Sequence, residues 1–181
     1  MTNIEFKARV QSFEKIHAVL TQHRLALEAT LRQNDTYFHT PNGRLKLREI
    51  NDETAQLIFY QRPDHAEVKR SDYLIAPVTS PASLRVALGA AYGIRTAVKK
   101  TRELYLLPRQ FGEYADQAGP DLIRLHLDAV DGLGNFLEIE VIVHEGESPE
   151  LAEQEARFWL QAFSIAPADL LSGSYADLGN E

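Results

Sequence analysis

Charged side chains occupy every second position in several short segments of this chain. Arg44, Lys46 and Arg48 form a row of three cations, and Leu45 and Leu47 fill the positions between them. Alternate residues of a β-strand lie on the same face, so the cations would point together and the leucines would point the other way. Arg and Lys side chains bind phosphate oxygens, and Arg often does so through two parallel hydrogen bonds. This row therefore predicts a binding site for a polyanion.

Four other segments show the same alternation. Glu138 and Glu140 form an acidic row, with Leu137, Ile139 and Val141 at the alternate positions. Carboxylate oxygens bind Mg²⁺ or Mn²⁺, and such an ion also binds phosphate oxygens. The sequence thus places candidate phosphate ligands and candidate metal ligands on different segments. The remaining charged rows are Glu5, Lys7 and Arg9; Lys100 and Arg102; and Arg124, His126 and Asp128.

Two arrangements are consistent with these rows. The charged faces could form the water-exposed side of an open sheet, which is the usual position of charged side chains. They could instead line the interior of a closed barrel whose apolar outer face is covered by helices. Solvated faces usually mix the two signs of charge, whereas the rows here are largely separated by sign. Like charges inside a barrel repel one another and need a counter-charge, which a polyanion carrying metal ions supplies.

The apolar positions predict seven or eight strands and three helices. Turns rich in Gly, Asn and Asp, at residues 40–43 and 131–134, join neighbouring strands. The helices do not alternate regularly with the strands, which favours an antiparallel sheet, and closing that sheet removes its exposed edges. We therefore predict an α+β fold in which helices pack outside a closed antiparallel β-barrel. The predicted strands cover residues 3–10, 25–39, 44–49, 55–62, 70–77, 94–107, 122–130 and 134–144, and the helices 12–23, 80–92 and 148–163, with a short helical turn at 167–171.

The composition is that of a globular protein with one domain. The chain has 181 residues, of which 44% are hydrophobic and 25% are charged, enough for a single core. The net charge of −7 argues against an extended nucleic-acid partner. The absence of cysteine excludes disulfides and thiolate metal sites and fits a cytoplasmic location. No apolar run reaches the ~20 residues of a membrane helix, and early charges interrupt any signal peptide, so no membrane association is expected.

These segments resemble the CYTH, or triphosphate tunnel metalloenzyme, superfamily. Its first strand carries the motif E-x-E-x-K, and the matching segment here reads Asn3-Ile4-Glu5-Phe6-Lys7. The likeness covers nearly the whole chain in the right order and is closest to the class IV adenylyl cyclase-like (CyaB-like) branch. The other matching segments are Asp35-Thr-Tyr-Phe38, Gly43-Arg-Leu-Lys-Leu-Arg-Glu49, Leu57-Ile-Phe-Tyr-Gln-Arg62, Val98-Lys-Lys-Thr-Arg102, Arg124-Leu-His-Leu-Asp128, Phe136-Leu-Glu-Ile-Glu140 and Ser174-Tyr175.

The resemblance implies one tunnel domain over residues 1–181, built as a closed eight-stranded antiparallel barrel. Members act on triphosphates with Mg²⁺ or Mn²⁺. They convert ATP to cyclic AMP and pyrophosphate, or they hydrolyse tripolyphosphate, thiamine triphosphate or the 5′-triphosphate of RNA. For this chain the implied reaction is the cyclase one, with a triphosphatase or a non-catalytic triphosphate-binding module as alternatives. A homodimer is common in this branch.

The resemblance also implies roles for individual residues. Lys7 and Tyr37 are the predicted catalytic residues, because in hydrolytic relatives a tunnel Lys lowers the pKa of a Tyr that helps to activate water. His126 is predicted to support a metal ligand and not to bind the metal itself. Arg9 shares the charged face but lies near the end of the tunnel. The predicted metal ligands are Glu5, Glu138 and Glu140, with Asp128 as a weaker fourth, and the predicted phosphate ligands are Lys7, Arg44, Lys46, Arg48, Arg62, Lys100, Arg102 and Arg124.

Asn3 departs from the family motif, which has a glutamate at this position. An amide carries no charge, so the metal cluster has one carboxylate fewer. The Asn3 carbonyl could still bind a metal, or one of the metals could bind weakly. Cyclisation, hydrolysis and binding without turnover therefore all stay open at this point.

Overall fold

The computed structural model describes residues 2–61 and 69–178 of the chain. Eight strands form a closed antiparallel barrel, which confirms the predicted fold class. Around the barrel the strands follow the order β1-β5-β4-β3-β2-β6-β7-β8. The strands are β1 (Thr2–Val10), β2 (Ala29–Phe38), β3 (Arg44–Ile50), β4 (Thr54–Gln61), β5 (Lys69–Val78), β6 (Ile94–Pro108), β7 (Ala118–Val130) and β8 (Gly134–Val143), and the helices are α1 (Glu14–Gln22), α2 (Pro81–Tyr92), α3 (Pro149–Ala162) and α4 (Tyr175–Leu178), with a 3₁₀ turn at Pro167–Asp169.

The first strand closes the barrel. β1 pairs with β8 along its full length and with β5 through residues 2–5. This pairing places Glu5 beside Glu140 and Lys7 beside Glu138 in the register of the two strands. Because side chains directly opposite each other in a sheet share a face, the acidic row of β8 and the charged row of β1 meet on the inner surface.

The apolar rows pack on the outside of the barrel under α1 and α3. Phe6, Leu125 and Ile139 point outward and bury their side chains against Ile16 of α1 and Trp159 of α3. A second group of apolar residues packs under α2, on the outer face of strands β2, β3 and β4. The helices therefore remove the outer apolar face from water, and the charged rows are left on the inside. Within the described ranges, no helix has both the length and the apolar character that crossing a membrane requires.

Most predicted elements are present, with shifted ends. The strand expected from residue 25 begins at Ala29, because the chain first turns back after α1, where Arg24 has a φ of 57° and the Leu25 amide donates to the Leu20 carbonyl. The helix expected from residue 12 begins at Glu14, without a side-chain cap. Strand β7 begins at Ala118, four residues earlier than predicted at Leu122. None of these shifts changes which side chains face the interior.

Candidate active site

The barrel encloses a cavity of about 410 Å³ with charged walls. Each of the eight strands contributes a polar or charged side chain to it, and residues of the C-terminal segment close part of it. The cations that line it come from β1, β3, β6 and β7, and the acids that line it come from β1 and β8. These lining residues are Lys7, Lys46, Arg48, Lys100, Arg102 and Arg124 among the cations, and Glu5, Glu138 and Glu140 among the acids.

Asp35 of β2 holds two cations of β3. Its two carboxylate oxygens accept hydrogen bonds from Arg48 Nε and Nη2, both at 2.7 Å, and Lys46 Nζ lies 3.0 Å from Oδ2. Burial alone would raise the pKa of Asp35, but Arg48 and Lys46 outweigh it and hold the pKa well below its usual range. Burial and the neighbouring Arg48 lower the pKa of Lys46 to about 8. Two cations share one carboxylate, so this cluster keeps a surplus positive charge.

Asp128 of β7 holds a second cation pair in the same way. Arg102 donates to its two oxygens at 2.7 Å, Lys100 Nζ lies 2.9 Å from Oδ2, and the Tyr175 hydroxyl donates to Oδ2 at 2.7 Å. Arg102 and Lys100 overcome the effect of burial and hold the pKa of Asp128 far below its usual range. Burial and repulsion from Arg102 lower the pKa of Lys100 to about 7. The Asp128 oxygens are thus engaged by two cations and a hydroxyl, an arrangement that holds the Lys100 and Arg102 side chains in place.

The acidic row of β8 is held by cations from three strands. Glu138 receives Lys7 Nζ on Oε1 at 2.7 Å and Arg102 Nη2 on Oε2 at 2.8 Å. Glu140 receives Nε and Nη2 of Arg124 on Oε2, at 3.0 and 2.6 Å. Burial opposes ionisation of both carboxyls, but Lys7 keeps the pKa of Glu138 well below its usual range and Arg124 lowers the pKa of Glu140 to about 2. Both side chains are therefore carboxylates at neutral pH and can bind a cation.

A nitrogen and two carboxylates form the candidate metal centre. One ligand atom from each of His126, Glu138 and Glu140 lies within 4.8 Å of the others. These oxygen and nitrogen donors fit a divalent cation. Glu5 is buried, lines the same cavity and pairs with Glu140 in strand register, but it is outside this close group. Asp128 is also outside it, and the assignment of either residue as a metal ligand stays a prediction.

The structure places the tunnel lysine of β1 beside a different tyrosine from the one predicted. Lys7 Nζ lies 4.0 Å from the centroid of the Tyr175 ring, whereas Lys46 is the cation that faces Tyr37, at 5.5 Å. Burial raises the pKa of Tyr37 well above its usual value, and the nearby Tyr60 and Asp35 raise it further. The shift is opposite in direction to the one that a water-activating phenolate needs. In this structure Tyr37 is a neutral phenol that can donate a hydrogen bond.

The remaining predicted residues lie toward the ends of the barrel or outside the described residues. Arg44 Nη2 lies 3.2 Å from Asp177 in α4. Arg9 Nη1 donates to the Leu133 carbonyl at 2.7 Å, at the turn before β8. Asn3 is buried and lines the cavity, and within the described ranges its Oδ1 atom has no hydrogen-bond partner. Arg62 lies outside the described residues.

The two ends of the cavity differ in character. At one end Tyr175 of α4 enters the barrel, and its ring packs on Phe136 with centroids 4.9 Å apart. At the other end the lining is mainly apolar, with the side-chain amides of Gln33 and Gln56. The apolar side chains of this end are Leu31, Ile50, Ile75, Leu104 and Pro120. The cavity can therefore hold a polyanion in its centre and an uncharged organic group at its apolar end.

Sequence reasoning missed two residues of this site. Asp35 shares the strand face of Tyr37, so its position in the row of β2 was the signal that could have placed it inside. Tyr175 was noted only as part of a matching segment, and nothing in its local pattern shows that it enters the barrel. It reaches Asp128 across 47 residues of sequence, a contact that depends on how the C-terminal segment packs.

Comparison with solved structures shows the same fold in proteins of low sequence identity. The PH1012 protein of Pyrococcus horikoshii superposes with a TM-score of 0.80 at 23% identity, over 97% of this chain and 98% of that one. A proposed adenylate cyclase of Vibrio parahaemolyticus gives 0.75 at 19% identity, over 100% and 99% of the two chains. The adenylyl cyclase candidate HpAC1 of Hippeastrum, described as having a dominant triphosphatase activity, gives 0.59 at 15% identity over 98% and 93%. No protein of curated function matches the sequence.

The sequence profile described as the CYTH domain matches residues 1–175. This match covers almost the whole chain, and it includes every strand of the barrel and each charged row on its inner face. The closed eight-stranded barrel is the fold that the sequence resemblance implied. The chain belongs to the CYTH domain family.

Proposed function

We propose that this protein is a metal-dependent enzyme that binds a triphosphate in the barrel and converts ATP to cyclic AMP and pyrophosphate. The observation that supports this proposal best is the distribution of charge inside the barrel. On one side Lys46, Arg48, Lys100 and Arg102 pair with two carboxylates, those of Asp35 and Asp128, and Arg102 also reaches Glu138 of the acidic side. When both lysines are protonated, four positive and two negative charges leave a surplus of two positive charges on this side, and the surplus is smaller when Lys100, whose pKa is about 7, loses its proton.

The opposite side of the cavity has the complementary charge. Glu5, Glu138 and Glu140 outnumber Lys7 and Arg124 by one negative charge. A divalent cation fits this acidic side, and a polyphosphate fits the cationic side. Because the interior is shielded from water, such charges interact strongly and gain most from a ligand that neutralises both sides together. A triphosphate with bound Mg²⁺ or Mn²⁺ has this charge pattern.

The apolar end of the cavity favours a triphosphate with an organic group over inorganic tripolyphosphate. Leu31, Ile50 and Leu104 would cover the faces of a ring, and the Gln33 Oε1 atom is buried without a hydrogen-bond partner in the described residues. An amide oxygen at this place can accept a hydrogen bond from an exocyclic amine, such as that of adenine. This observation favours ATP as the substrate.

The cationic side chains supply the chemistry that the chain itself contributes. In cyclisation the oxygen of the ribose 3′-hydroxyl forms a bond to the α-phosphorus and its proton passes to solvent, while the bond from that phosphorus to the β-phosphate oxygen breaks and pyrophosphate leaves. Arg48 and Arg102 are held rigidly by their carboxylates, so they can neutralise the leaving phosphates without reorganising. A metal ion held by Glu138 and Glu140 would act as a Lewis acid and polarise phosphate oxygens.

Hydrolysis of a triphosphate is the alternative reaction. The Hippeastrum relative is described as having a dominant triphosphatase activity, and the same cationic cradle would serve an attacking water. The raised pKa of Tyr37 does not support a tyrosine-activated water in this protein.

One set of assays separates these functions. Purified protein is incubated with ATP, tripolyphosphate or thiamine triphosphate and with Mg²⁺ or Mn²⁺, and cyclic AMP, pyrophosphate and phosphate are measured together. We expect cyclic AMP and pyrophosphate in equal amounts from ATP. Phosphate release without cyclic AMP would replace the cyclase by a triphosphatase. Tight binding of all three ligands without turnover would indicate a binding module.

Triphosphate affinity is expected to fall as the pH rises above 8. The pKa of Lys46 is about 8 in the free protein because of burial and Arg48, and negative phosphate oxygens would raise it in the complex. Above pH 8 Lys46 must therefore take up a proton when the ligand binds, so the contribution of Lys46 to binding is fully present below pH 8 and is lost as the pH rises toward its pKa in the complex. Lys100, whose pKa is about 7, makes its own contribution at lower pH, and that contribution is common to the two proteins compared below. Calorimetric titration with tripolyphosphate from pH 7.5 to 9.5 should show a loss on the order of tenfold from this group.

Lys46→Arg provides the matched control, because a guanidinium stays protonated throughout this pH range. The slope of the logarithm of affinity against pH should become less steep by about one. Any titration of the ligand itself is common to both proteins. Equal slopes in the two proteins would show that Lys46 does not gain a proton on binding.

A further inference from the structure

His126 has an unusual environment for a buried histidine. Its side chain is 6% exposed, and within the part of the chain that the structure describes its Nδ1 atom has no hydrogen-bond partner. A buried ring nitrogen without a partner costs free energy, because it has lost its water and gained nothing in exchange. Such an atom needs an explanation, and an absent ligand is one.

The Nδ1 atom faces two carboxylate oxygens. It lies 3.6 Å from Glu138 Oε2 and 3.8 Å from Glu140 Oε1. Both distances exceed the length of a hydrogen bond. Two donor atoms that each lie about 2.1 Å from one ion are separated by roughly 3.0 to 3.4 Å. The Nδ1 atom therefore needs to approach each oxygen by only a few tenths of an ångström, and the ligand atoms of the three residues all lie within 4.8 Å of one another.

Glu140 presents its second oxygen to this group. Its Oε2 atom receives both hydrogen bonds from Arg124, and Oε1 is the atom that faces His126. The arginine fixes the orientation of the carboxylate, as an outer partner of a metal ligand commonly does. Glu138 is held by Lys7 on Oε1 and by Arg102 on Oε2, the oxygen that also faces His126. The donors are thus held in place before any ion binds.

We propose that His126 Nδ1 is a direct metal ligand, together with Glu138 and Glu140, and that this nitrogen makes the site select transition-metal ions over Mg²⁺. This inference rests on the proposed function only in placing the metal inside the barrel. Mg²⁺ prefers oxygen donors, whereas imidazole nitrogen is a better donor for ions such as Co²⁺ and Zn²⁺. This proposal differs from the expectation that His126 only supports a metal ligand, because among the described residues its Nδ1 atom has no hydrogen bond to either carboxylate.

Metal binding without any triphosphate tests the proposal. Pulsed electron paramagnetic resonance of the protein with Mn²⁺ should show coupling to ¹⁴N of a coordinated imidazole, and this coupling should vanish in His126→Gln. Calorimetry should show that the same substitution weakens Co²⁺ binding by at least about 10-fold, as expected for loss of a ligand. Mg²⁺ binding should change by less than about threefold, since Mg²⁺ gains little from nitrogen. His17→Gln, outside the barrel on α1, is the matched control and should change none of these values.

Absence of ¹⁴N coupling in the unchanged protein would overturn the proposal, and this measurement does not depend on whether a variant folds. Equal losses of Co²⁺ and Mg²⁺ affinity in His126→Gln would also overturn it, because they would indicate a structural role for the ring. A protein with ¹⁴N coupling that turns over no triphosphate would keep this proposal and refute the proposed enzyme. The two failures are therefore distinguishable.

Discussion

Glu138→Gln is expected to reduce metal-dependent turnover by at least about 100-fold while the barrel still folds. The substitution keeps the shape of the side chain and one acceptor oxygen for Lys7 or Arg102, but it removes the negative charge that a divalent cation needs. Turnover of the preferred triphosphate is measured at saturating Mg²⁺ and Mn²⁺, and far-ultraviolet circular dichroism checks the fold. A rise in the metal concentration required for half-maximal activity should accompany the loss.

Glu153→Gln is the matched control for this experiment. Glu153 lies on α3, outside the barrel, and its Oε2 atom is 3.6 Å from Arg157 in an exposed pair. Its substitution removes the same charge from the protein without touching the cavity, so turnover should stay within about twofold. Unchanged turnover in Glu138→Gln would remove Glu138 from the metal site.

Arg48→Ala is expected to raise the apparent KM for the triphosphate by tens-fold or more. The change removes a guanidinium that faces the cavity and that can bind phosphate through two hydrogen bonds. It also breaks the ion pair between Arg48 and the buried Asp35, and Lys46 remains paired with that carboxylate. Breaking a buried ion pair by removing one partner costs about 3–5 kcal/mol of stability, so thermal unfolding is measured beside the kinetics.

A second variant separates the loss of the phosphate ligand from the loss of stability. In Arg48→Lys, a cation remains beside the buried carboxylate of Asp35, so most of the stability should return, whereas the two parallel hydrogen bonds of a guanidinium to phosphate are lost and KM should stay above that of the unchanged protein. Arg32→Ala on the outer surface, where the side chain is 73% exposed, is the control for removing a cation from a strand and should leave KM unchanged. A KM change below twofold in Arg48→Ala would show that this row does not bind phosphate.

The alternating pattern, together with the order of the elements, was sufficient to predict the α+β barrel and to place charged and apolar rows on opposite faces of the strands. Leu45 and Leu47 needed an apolar partner, and α2 covers Leu47 in the structure. Lys46 and Arg48, between and beside them, had to point the other way, because side chains alternate along any strand. This is a local property of the backbone, and it does not depend on which strands become neighbours.

The pairing of charges inside the barrel depends on contacts between distant segments. Arg48 meets Asp35 because β2 and β3 pair in one register, and Arg102 meets Asp128 because β6 and β7 pair in another. A shift of one residue in the register of two paired strands would turn one member of their charge pair to the outside of the barrel. The alternating pattern placed each row of cations on one strand face, and the family resemblance assigned Asp128 to the metal, but neither identified the partners of these residues.

The same reason explains the two aromatic residues. Tyr37 was expected to lose its proton easily beside a lysine, yet its pKa is raised, because the closed barrel buries the ring away from water. Tyr175 enters the cavity from a segment that follows the last strand, and it contacts Lys7 and Asp128 there. Side-chain direction follows from the chain's own short-range geometry, so it is readable from residue order. Partners, burial and pKa shifts arise only when strand register and barrel closure bring remote residues together and exclude water from between them.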